Sequence, residues 1–168
     1  MGYIRRDLAH ACGLMNLLGE HDVTLDAKGR LLLPAALKKQ LGDGALKQGF
    51  VINRDVFRPC LVLYPLPEWE RIGQMLRRLN RFMEKNMEFI RRFTSGATPL
   101  ALDGNGRLLL PYALVSDPKL GKDIKLLGLG DRIEIWSTDK YATMRRERVD
   151  LTALAEEVMG SLGNDEQQ

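Results

Sequence analysis

The sequence predicts an α+β fold that is mainly β and is built twice from one unit. The stretch of residues 25–37 returns as residues 102–114, at an offset of 77 residues, and ten of the thirteen aligned positions are identical. A match this dense indicates an internal duplication. Short runs rich in β-branched and aromatic residues follow each copy, whereas the longest helical spacing of apolar residues lies between the copies.

Composition places the chain among ordinary globular proteins. Its 168 residues are 45% hydrophobic and 28% charged, and no apolar run approaches the ~20 residues that a membrane span requires. Two cysteines, Cys12 and Cys60, cannot build a disulfide framework, and with only His10 and His21 beside them they give no metal-ligand spacing. We therefore expect a soluble, cytoplasmic protein without a membrane partner, a metal or a cofactor.

The formal net charge of +3 hides an asymmetry between the body and the end of the chain. Residues 150–168 hold five acids and no Lys or Arg, so this segment carries −5 and leaves +8 on residues 1–149. A basic body suits an anionic partner such as nucleic acid, although a solvated basic surface is the commoner reason for such a charge. Charge alone leaves both interpretations open.

The first copy is predicted to be strand, strand, short helix, strand, strand. Val23 and Leu25 before the turn and Leu31 and Leu33 after it alternate as the strands of a hairpin do. Gly29 suits the positive φ of a short loop between them. We therefore expect a β-hairpin that crosses at residues 26–30.

The rest of the first copy begins at a proline. Pro34 is expected at the first helical position, and residues 35–41 are expected to form a short helix that Gly42 stops. Strands over residues 50–53 and 60–64 then close the first half.

Two amphipathic helices are predicted to link the copies. A proline and two acids mark a helix start near Leu66, and the linking segment ends near Ser95. The apolar residues at helical spacing are Trp69, Ile72, Leu76 and Leu79, then Met83, Met87 and Ile90. Seven basic residues outnumber four acids here, which we interpret as a solvated or subunit-facing side rather than a binding face.

The second copy repeats the plan of the first. Pro111 is expected to open a short helix, strands are predicted over residues 125–129 and 132–136, and Thr138 is expected to cap a further helix. The acidic and polar residues 160–168 are expected to fray.

These signals divide the chain into five segments. Residues 1–14 precede Met15, which resembles a natural start, and they are interpreted as an upstream extension or a remnant of cloning. The other four segments are a first repeat at 19–66, linking helices at 67–97, a second repeat at 98–141, and a C-terminal helix with an acidic tail at 142–168.

Each repeated turn sets an aspartate and an arginine on either side of a three-residue loop. The two side chains are close enough for an ion pair, or for the aspartate to accept N–H groups of the turn. We interpret the shared residues as structural parts of the hairpin. They are Asp26, Gly29, Pro34, Asp103, Gly106, Arg107 and Pro111.

The two copies differ in charge around the arginine. Three lysines lie near Arg30 in the sequence, and the second copy replaces all of them. The replacements are Asn105 for Lys28, Val115 for Lys38 and Ser116 for Lys39. We therefore expect only the first hairpin to meet a polyanion, with Lys28, Lys38 and Lys39 beside an Arg30 that can reach guanine O6 and N7 bidentately.

Five ordered motifs carry a family resemblance. They are DxKGRxxxP at residues 26–34, CLVLYPLPEWE at 60–70, RRFTSGA at 91–97, DGNGRLLLP at 103–111 and GLGDRIEIW at 128–136. Together they resemble the bacterial MraZ family, which is related to the AbrB and SpoVT transition-state regulators. The resemblance covers residues 15–145.

The resemblance implies a fold, an assembly and a function. The fold is a swapped-hairpin β-barrel duplicated within one chain, and the assembly is a homo-oligomeric ring of about eight or more protomers. The function is transcription regulation at the nucleoid, through sequence-specific binding of double-stranded DNA at short direct repeats upstream of the protein's own division and cell-wall gene cluster. In the family the first-copy arginine is associated with DNA contact, which carries over to Arg30 with Lys28 alongside.

Two other functions compete with DNA binding. Asp26 and Asp103 suggest an enzyme with paired carboxylates, but an arginine four residues after each would keep both ionised, and no Asp-Thr-Gly turn is present. We therefore expect no catalytic residues and no small-molecule substrate. The other alternative is a non-DNA interaction module, such as an antidote whose residues after Asp150 bind a toxin.

Overall fold

The computed structural model of the protein describes residues 15–116 and 119–165. The predicted extension at residues 1–14, with His10 and Cys12, lies outside the described residues, as do the last three residues of the predicted tail.

Eight strands and six helices lie in the described part of the chain, which confirms the α+β class. The strands are β1 Glu20–Thr24, β2 Arg30–Leu32, β3 Phe50–Arg54, β4 Leu61–Pro65, β5 Thr98–Leu100, β6 Arg107–Leu109, β7 Asp123–Gly128 and β8 Ile133–Ser137. The helices are α1 Ala35–Gln48, α2 Leu66–Arg77, α3 Glu84–Thr94, α4 Tyr112–Ser116, α5 Thr138–Arg146 and α6 Leu151–Asp165.

The strands form two antiparallel sheets that mix the two copies. The larger sheet has the order β1-β7-β8-β4-β3-β5, and the smaller sheet pairs β2 with β6. Each copy places its first strand beside the other copy, since β1 pairs with β7 and β5 pairs with β3. Closure into a swapped-hairpin barrel stays a prediction.

The predicted strand pairing within each turn is wrong. The turn itself closes locally, because the Asp26 N–H donates to the Arg30 carbonyl at 3.0 Å and the Asp103 N–H donates to the Arg107 carbonyl at 2.8 Å. The strands on either side of the turn nevertheless enter different sheets. A turn signal fixes local geometry, whereas the partner of a strand depends on which apolar faces can be buried together.

The small sheet joins equivalent positions of the two copies. Leu31 of β2 pairs with Leu108 of β6, which is its counterpart 77 residues later. On either side of this pair, Arg30 faces Leu109 and Leu32 faces Arg107. Two identical Arg-Leu-Leu strands therefore cross antiparallel about an approximate twofold axis.

The leucines of the repeated motif fill one shared core. Leu31, Leu33 and Leu37 of the first copy are buried, and their counterparts Leu108, Leu110 and Leu114 are buried in the same cluster. Full burial of a leucine side chain stabilises a fold by about 1.5–3 kcal/mol relative to exposure. The two copies thus depend on each other for their apolar burial.

Gly42 breaks the first helix as predicted, with φ +75°, and a second helical segment that was not predicted follows it and continues to Gln48. The cap before α5 is Ser137 rather than Thr138, since Ser137 Oγ accepts the Lys140 N–H at 3.2 Å. Residues 160–165 belong to α6, so the helix extends into the predicted tail, while the expected fraying stays a prediction.

The two linking helices are present as α2 and α3, and neither contains a buried residue. An aromatic row attaches them to the large sheet. Trp69 of α2 lies 5.5 Å from Tyr64 of β4 and 5.7 Å from Phe93 of α3, measured between ring centroids. These contacts fix the helices to the sheet on one side and leave their other side in solvent.

Candidate nucleic-acid interface

The first turn is organised by the carboxylate of Asp26. Its Oδ1 accepts the backbone N–H groups of Lys28 and Arg30, both at 2.9 Å. Its Oδ2 accepts Arg30 Nε at 2.6 Å. Gly29 has φ +75°, a conformation that glycine adopts without strain. The aspartate therefore holds both the backbone of the turn and the side chain of the arginine.

These contacts keep Asp26 ionised. The backbone N–H of Arg30 makes the largest contribution to lowering the pKa of the Asp26 carboxyl, and the Arg30 guanidinium and the Lys28 N–H act in the same direction. A negative charge at this point in turn orients Arg30.

The second turn has the same design. Asp103 Oδ1 accepts the N–H groups of Asn105 and Arg107 at 2.8 and 2.9 Å, and Asp103 Oδ2 accepts Arg107 Nε at 3.2 Å. Gly106 has φ +74°. The backbone N–H of Arg107 is the main cause that lowers the pKa of Asp103.

The two turns flank the small sheet at its opposite ends. The Leu33 N–H donates to the Gly106 carbonyl at 3.2 Å, and the Leu110 N–H donates to the Gly29 carbonyl at 3.1 Å. Each turn is thus tied to the strand end of the other copy. Together they present one surface, which we call the paired-turn surface and define as residues 26–30 and 103–107.

The two arginines of the paired-turn surface differ in their contacts. Arg107 Nη1 lies 3.8 Å from Asp26 Oδ2, so Arg107 interacts with the carboxylates of both turns. Among the described residues, the terminal nitrogens Nη1 and Nη2 of Arg30 make no hydrogen bond, while Nε is held by Asp26. Arg30 is therefore oriented through Nε, while Nη1 and Nη2 remain available as donors, which is the arrangement that bidentate recognition needs.

The lysines are distributed differently from the prediction. Lys28 is exposed at the tip of the first turn, as expected beside Arg30. Lys38 instead lies at the second turn, where a Cβ added to Gly106 would stand 3.0 Å from Lys38 Nζ. Lys39 is exposed on the same helix, α1. The expected grouping of all the cations around the first turn is wrong, because α1 crosses to the turn of the other copy.

The corresponding helix of the second copy, α4, lies across a cleft from the first turn. A cleft of about 520 Å³ there is lined by Lys28 and Gly29 together with Tyr112, Val115 and Lys122. Tyr112 is highly exposed. Sequence reasoning missed Tyr112 and Lys122. Val115 is the second-copy equivalent of Lys38, so once the antiparallel pairing of the repeats is known, α4 is expected at the first turn just as Lys38 lies at the second.

The two prolines stand immediately before their helices. Pro34 precedes Ala35, the first residue of α1, and its carbonyl accepts the Lys38 N–H at 3.0 Å. Pro111 likewise precedes α4, and its carbonyl accepts the Val115 N–H at 3.1 Å. The expectation that each proline occupies the first helical position is off by one residue, but the missing proline N–H is harmless at either place.

The geometry does not favour a paired-carboxylate site. A shared proton would raise the pKa of one aspartate, whereas the pKa values of Asp26 and Asp103 are both lowered by their own turns. The described part of the chain holds no group of three or more His, Cys, Asp or Glu side chains placed to bind a metal ion. No helix within residues 15–116 and 119–165 is long and apolar enough to cross a bilayer.

Comparison with known proteins gives consistent matches across the chain. A family model described as "MraZ protein, putative antitoxin-like" matches residues 16–92 and 93–161. A protein named transcriptional regulator MraZ from Christiangramia forsetii is 47% identical over 149 residues, which cover 88% of this chain and 96% of the relative. Proteins of the same name from Flavobacterium psychrophilum and Clostridium acetobutylicum are 45% and 35% identical, over 89% and 87% of this chain and 96% and 98% of the relatives.

Both family-model matches together span nearly all of the described residues, and the relatives are covered almost end to end. The repeated turns, the linking helices and the second copy lie inside the matched ranges. The chain therefore belongs to the MraZ family.

Proposed function

We propose that the protein is a transcription regulator that binds double-stranded DNA in a sequence-specific manner through the paired-turn surface. The observation that carries the proposal is the Arg30 side chain, whose Nε is fixed by Asp26 while its terminal nitrogens are open. An arginine held in this way can donate two parallel hydrogen bonds to guanine O6 and N7 in the major groove. The relatives are named as regulators of transcription rather than as enzymes, which supports this proposal.

The lysines are proposed to bind phosphate. Lys28 is one residue from Gly29 at the first turn, and Lys38 lies against Gly106 at the second turn, so the two cations flank the arginines. Lys39 adds a third positive charge on α1. Phosphate contacts fix the register of a protein on DNA, whereas base contacts specify the sequence. Arg107, which interacts with both aspartates, is proposed to hold the two turns together.

The proposed target is a set of short direct repeats upstream of the protein's own gene, in the division and cell-wall gene cluster, which places the protein in the cytoplasm at the nucleoid. One bidentate base contact contributes only about 1–3 kcal/mol of discrimination. A homo-oligomeric ring of about eight or more protomers would engage several phased repeats at once and raise the effective concentration of each contact. The exposed side of the linking helices supports such an assembly, because neither α2 nor α3 buries a residue within one chain.

The swapped-hairpin barrel is proposed as the fold of each protomer's body. The exchange of β1 and β5 between the copies supports it, because each copy then completes the sheet of the other. The proposed domains remain the two repeats at 19–66 and 98–141, the linking helices at 67–97 and the C-terminal segment at 142–168.

A fluorescence anisotropy titration tests the proposed DNA binding. The full chain is titrated with duplex DNA from upstream of its own gene and with a shuffled duplex of the same composition, at two salt concentrations. We expect the upstream DNA to bind at least about 10³-fold more tightly, as specific sites usually do. Equal affinity for both duplexes would contradict sequence-specific binding, even if both affinities fall with salt.

The number of repeats tests the assembly separately. A duplex with three repeats phased at about one helical turn should bind much more tightly than a duplex with one repeat. A third duplex, with the same three repeats moved by half a turn, controls for repeat number. Equal affinity for one repeat and for three would exclude the ring from DNA recognition while leaving the paired-turn surface as the contact.

A further inference from the structure

The C-terminal helix α6 is an apolar surface without a partner in its own chain. Leu151, Leu154 and Val158 recur at helical spacing on one side, and all three are exposed, as is Met159. An amphipathic helix gains most of its stability by burying such a stripe against another element.

All charged side chains of the C-terminal segment are acidic. Residues 150–168 contain acids and no Lys or Arg. Glu156 and Glu157 lie within α6 beside the apolar stripe, and neither forms an ion pair with any described residue. The C-terminal helix thus offers an apolar stripe with negative charge at its border.

The junction of α2 and α3 offers the complementary surface. We call residues 75–85 the linking-helix tip. Phe82 is fully exposed, and Met75 and Met83 are also exposed. The loop that carries Phe82 is ordered by its own hydrogen bonds, since Asn80 Oδ1 accepts the Phe82 N–H at 3.0 Å and Asn86 Nδ2 donates to the Asn80 carbonyl at 2.9 Å.

The linking-helix tip is strongly basic. Four cations lie in it against one acid, Glu84, and none of the four forms an ion pair within the described residues. They are Arg77, Arg78, Arg81 and Lys85. An exposed aromatic group surrounded by unpaired cations is the chemistry that an acidic amphipathic helix fits.

We propose that α6 of one protomer docks on the linking-helix tip of a second copy of this chain. Both surfaces are exposed in the same chain, so they do not cover each other, and every copy carries both of them. Contact between two different patches is heterologous, and such contacts run head to tail and can close into rings. The proposal deepens, and rests on, the homo-oligomeric part of the proposed function, and it assigns the contact between neighbours.

Charge reversal in the full-length chain tests the contact. One variant, Glu156→Arg/Glu157→Arg, reverses the helix, and another, Arg78→Glu/Arg81→Glu, reverses the tip. Both sites are exposed. Asp43→Arg and Lys47→Glu, at exposed positions of α1, serve as matched controls. Assembly is measured by sedimentation velocity across a concentration series, and folding by circular dichroism.

We expect each reversal to weaken assembly by about tenfold or more in dissociation constant, equivalent to about 1.4 kcal/mol, while the controls assemble as wild type. An equimolar mixture of the two reversal variants should restore assembly, because each helix then meets an oppositely charged tip. Unchanged assembly of both reversal variants would overturn the inference and leave the oligomer intact.

Failure of the mixture to restore assembly would also overturn the inference. A wild type that stays monomeric over the whole concentration series would contradict the oligomer itself, and would therefore count against the proposed function as well. DNA affinity for a single repeat, measured in parallel, separates loss of assembly from loss of the paired-turn surface.

Discussion

Leu31 and Leu108, the same position in the two copies of the repeat, pair with each other at the centre of the small sheet. This antiparallel pairing sets each turn beside the far end of the other copy's strand, and because each strand is only three residues long, Arg107 Nη1 of the second turn lies 3.8 Å from Asp26 Oδ2 of the first. The turns are then joined by backbone hydrogen bonds from Leu33 to Gly106 and from Leu110 to Gly29. A duplicated sequence thereby yields a single surface rather than two separate sites.

Salt titrations should distinguish residues that contact phosphate from residues that contact bases, because the two kinds of contact affect DNA affinity differently. Lys28→Ala removes an exposed cation that makes no contact with bases in the proposal, so it should weaken specific and shuffled DNA by a similar factor. The slope of log affinity against log salt should fall by about 1, because one fewer counterion is released. Lys38→Ala should behave in the same way if the second turn also touches DNA. A Lys28→Ala protein that loses specific binding only would contradict the assignment of Lys28 to phosphate.

Arg30→Lys distinguishes recognition by positive charge alone from bidentate hydrogen bonding by the guanidinium group. Lysine keeps the positive charge at this position but cannot donate the two parallel hydrogen bonds that arginine can. We expect Arg30→Lys to keep most of the affinity for shuffled DNA and to lose about tenfold or more of the affinity for the upstream DNA, which corresponds to about 1–3 kcal/mol of discrimination. Anisotropy with both duplexes measures this. Retention of full specificity by lysine would show that Arg30 acts as a charge alone.

Acid should destabilise the fold through the turn aspartates. The pKa values of Asp26 and Asp103 are lowered from an ordinary value of 3.8, chiefly by backbone N–H groups of Arg30 and Arg107. The unfolded chain then binds more protons than the folded chain near and below this pH, so the free energy of unfolding falls as the pH drops through 3.8. Above that range the contribution is complete and constant.

Urea unfolding between pH 7 and pH 3 measures this dependence. The double variant Asp26→Asn/Asp103→Asn keeps an oxygen that accepts the N–H bonds but has no carboxyl to titrate. It should be less stable than wild type at pH 7 and should lose less stability on going to pH 3. If the variant shows the same acid dependence as wild type, the titration arises from other carboxylates.

Glycine is required at one strand position by close approach rather than by backbone conformation. A Cβ on Gly128 of β7 would stand 2.7 Å from the carbonyl carbon of Leu17 and 2.8 Å from its oxygen. Gly128→Ala should therefore destabilise the protein, by about 1–3 kcal/mol as overpacked cores do. Gly44→Ala is the matched control, because nothing lies within 4 Å of its Cβ in α1 and alanine favours the helix by about 0.5–1 kcal/mol. Equal stability of the two variants in urea would contradict the packing of Leu17 against β7.

Local features of the fold could be predicted from the sequence. Leu31, Leu33 and their counterparts mark strands whose inward side is buried, and Gly29 and Gly106 mark turns with positive φ. The linking helices follow from apolar residues at helical spacing within each segment. The carboxylates of both turns also bind the groups that their spacing suggested.

Pairing between distant segments could not be predicted in the same way. The sequence around residues 26–30 is compatible with a simple hairpin, and only the burial of both leucine sets in one core makes the strands cross between copies. The position of Lys38 depends on that crossing, so its place beside Gly106 could not be predicted from the sequence either. The resumption of the helix after Gly42 depends on the burial of Ala45 against the same core, which a local stop signal does not report.

Arg30 is proposed to read DNA, while Arg107 is proposed mainly to hold the two turns together. The direct test compares the wild type with Arg30→Ala and Arg107→Ala by anisotropy titration against the upstream duplex at two salt concentrations, with assembly checked by sedimentation and stability by urea. We expect Arg30→Ala to lose most specific binding while fold and assembly persist, and Arg107→Ala to lose stability but keep most of its specific affinity. An Arg107→Ala protein that is folded, assembled and as defective in specific binding as Arg30→Ala would contradict this division between the two arginines.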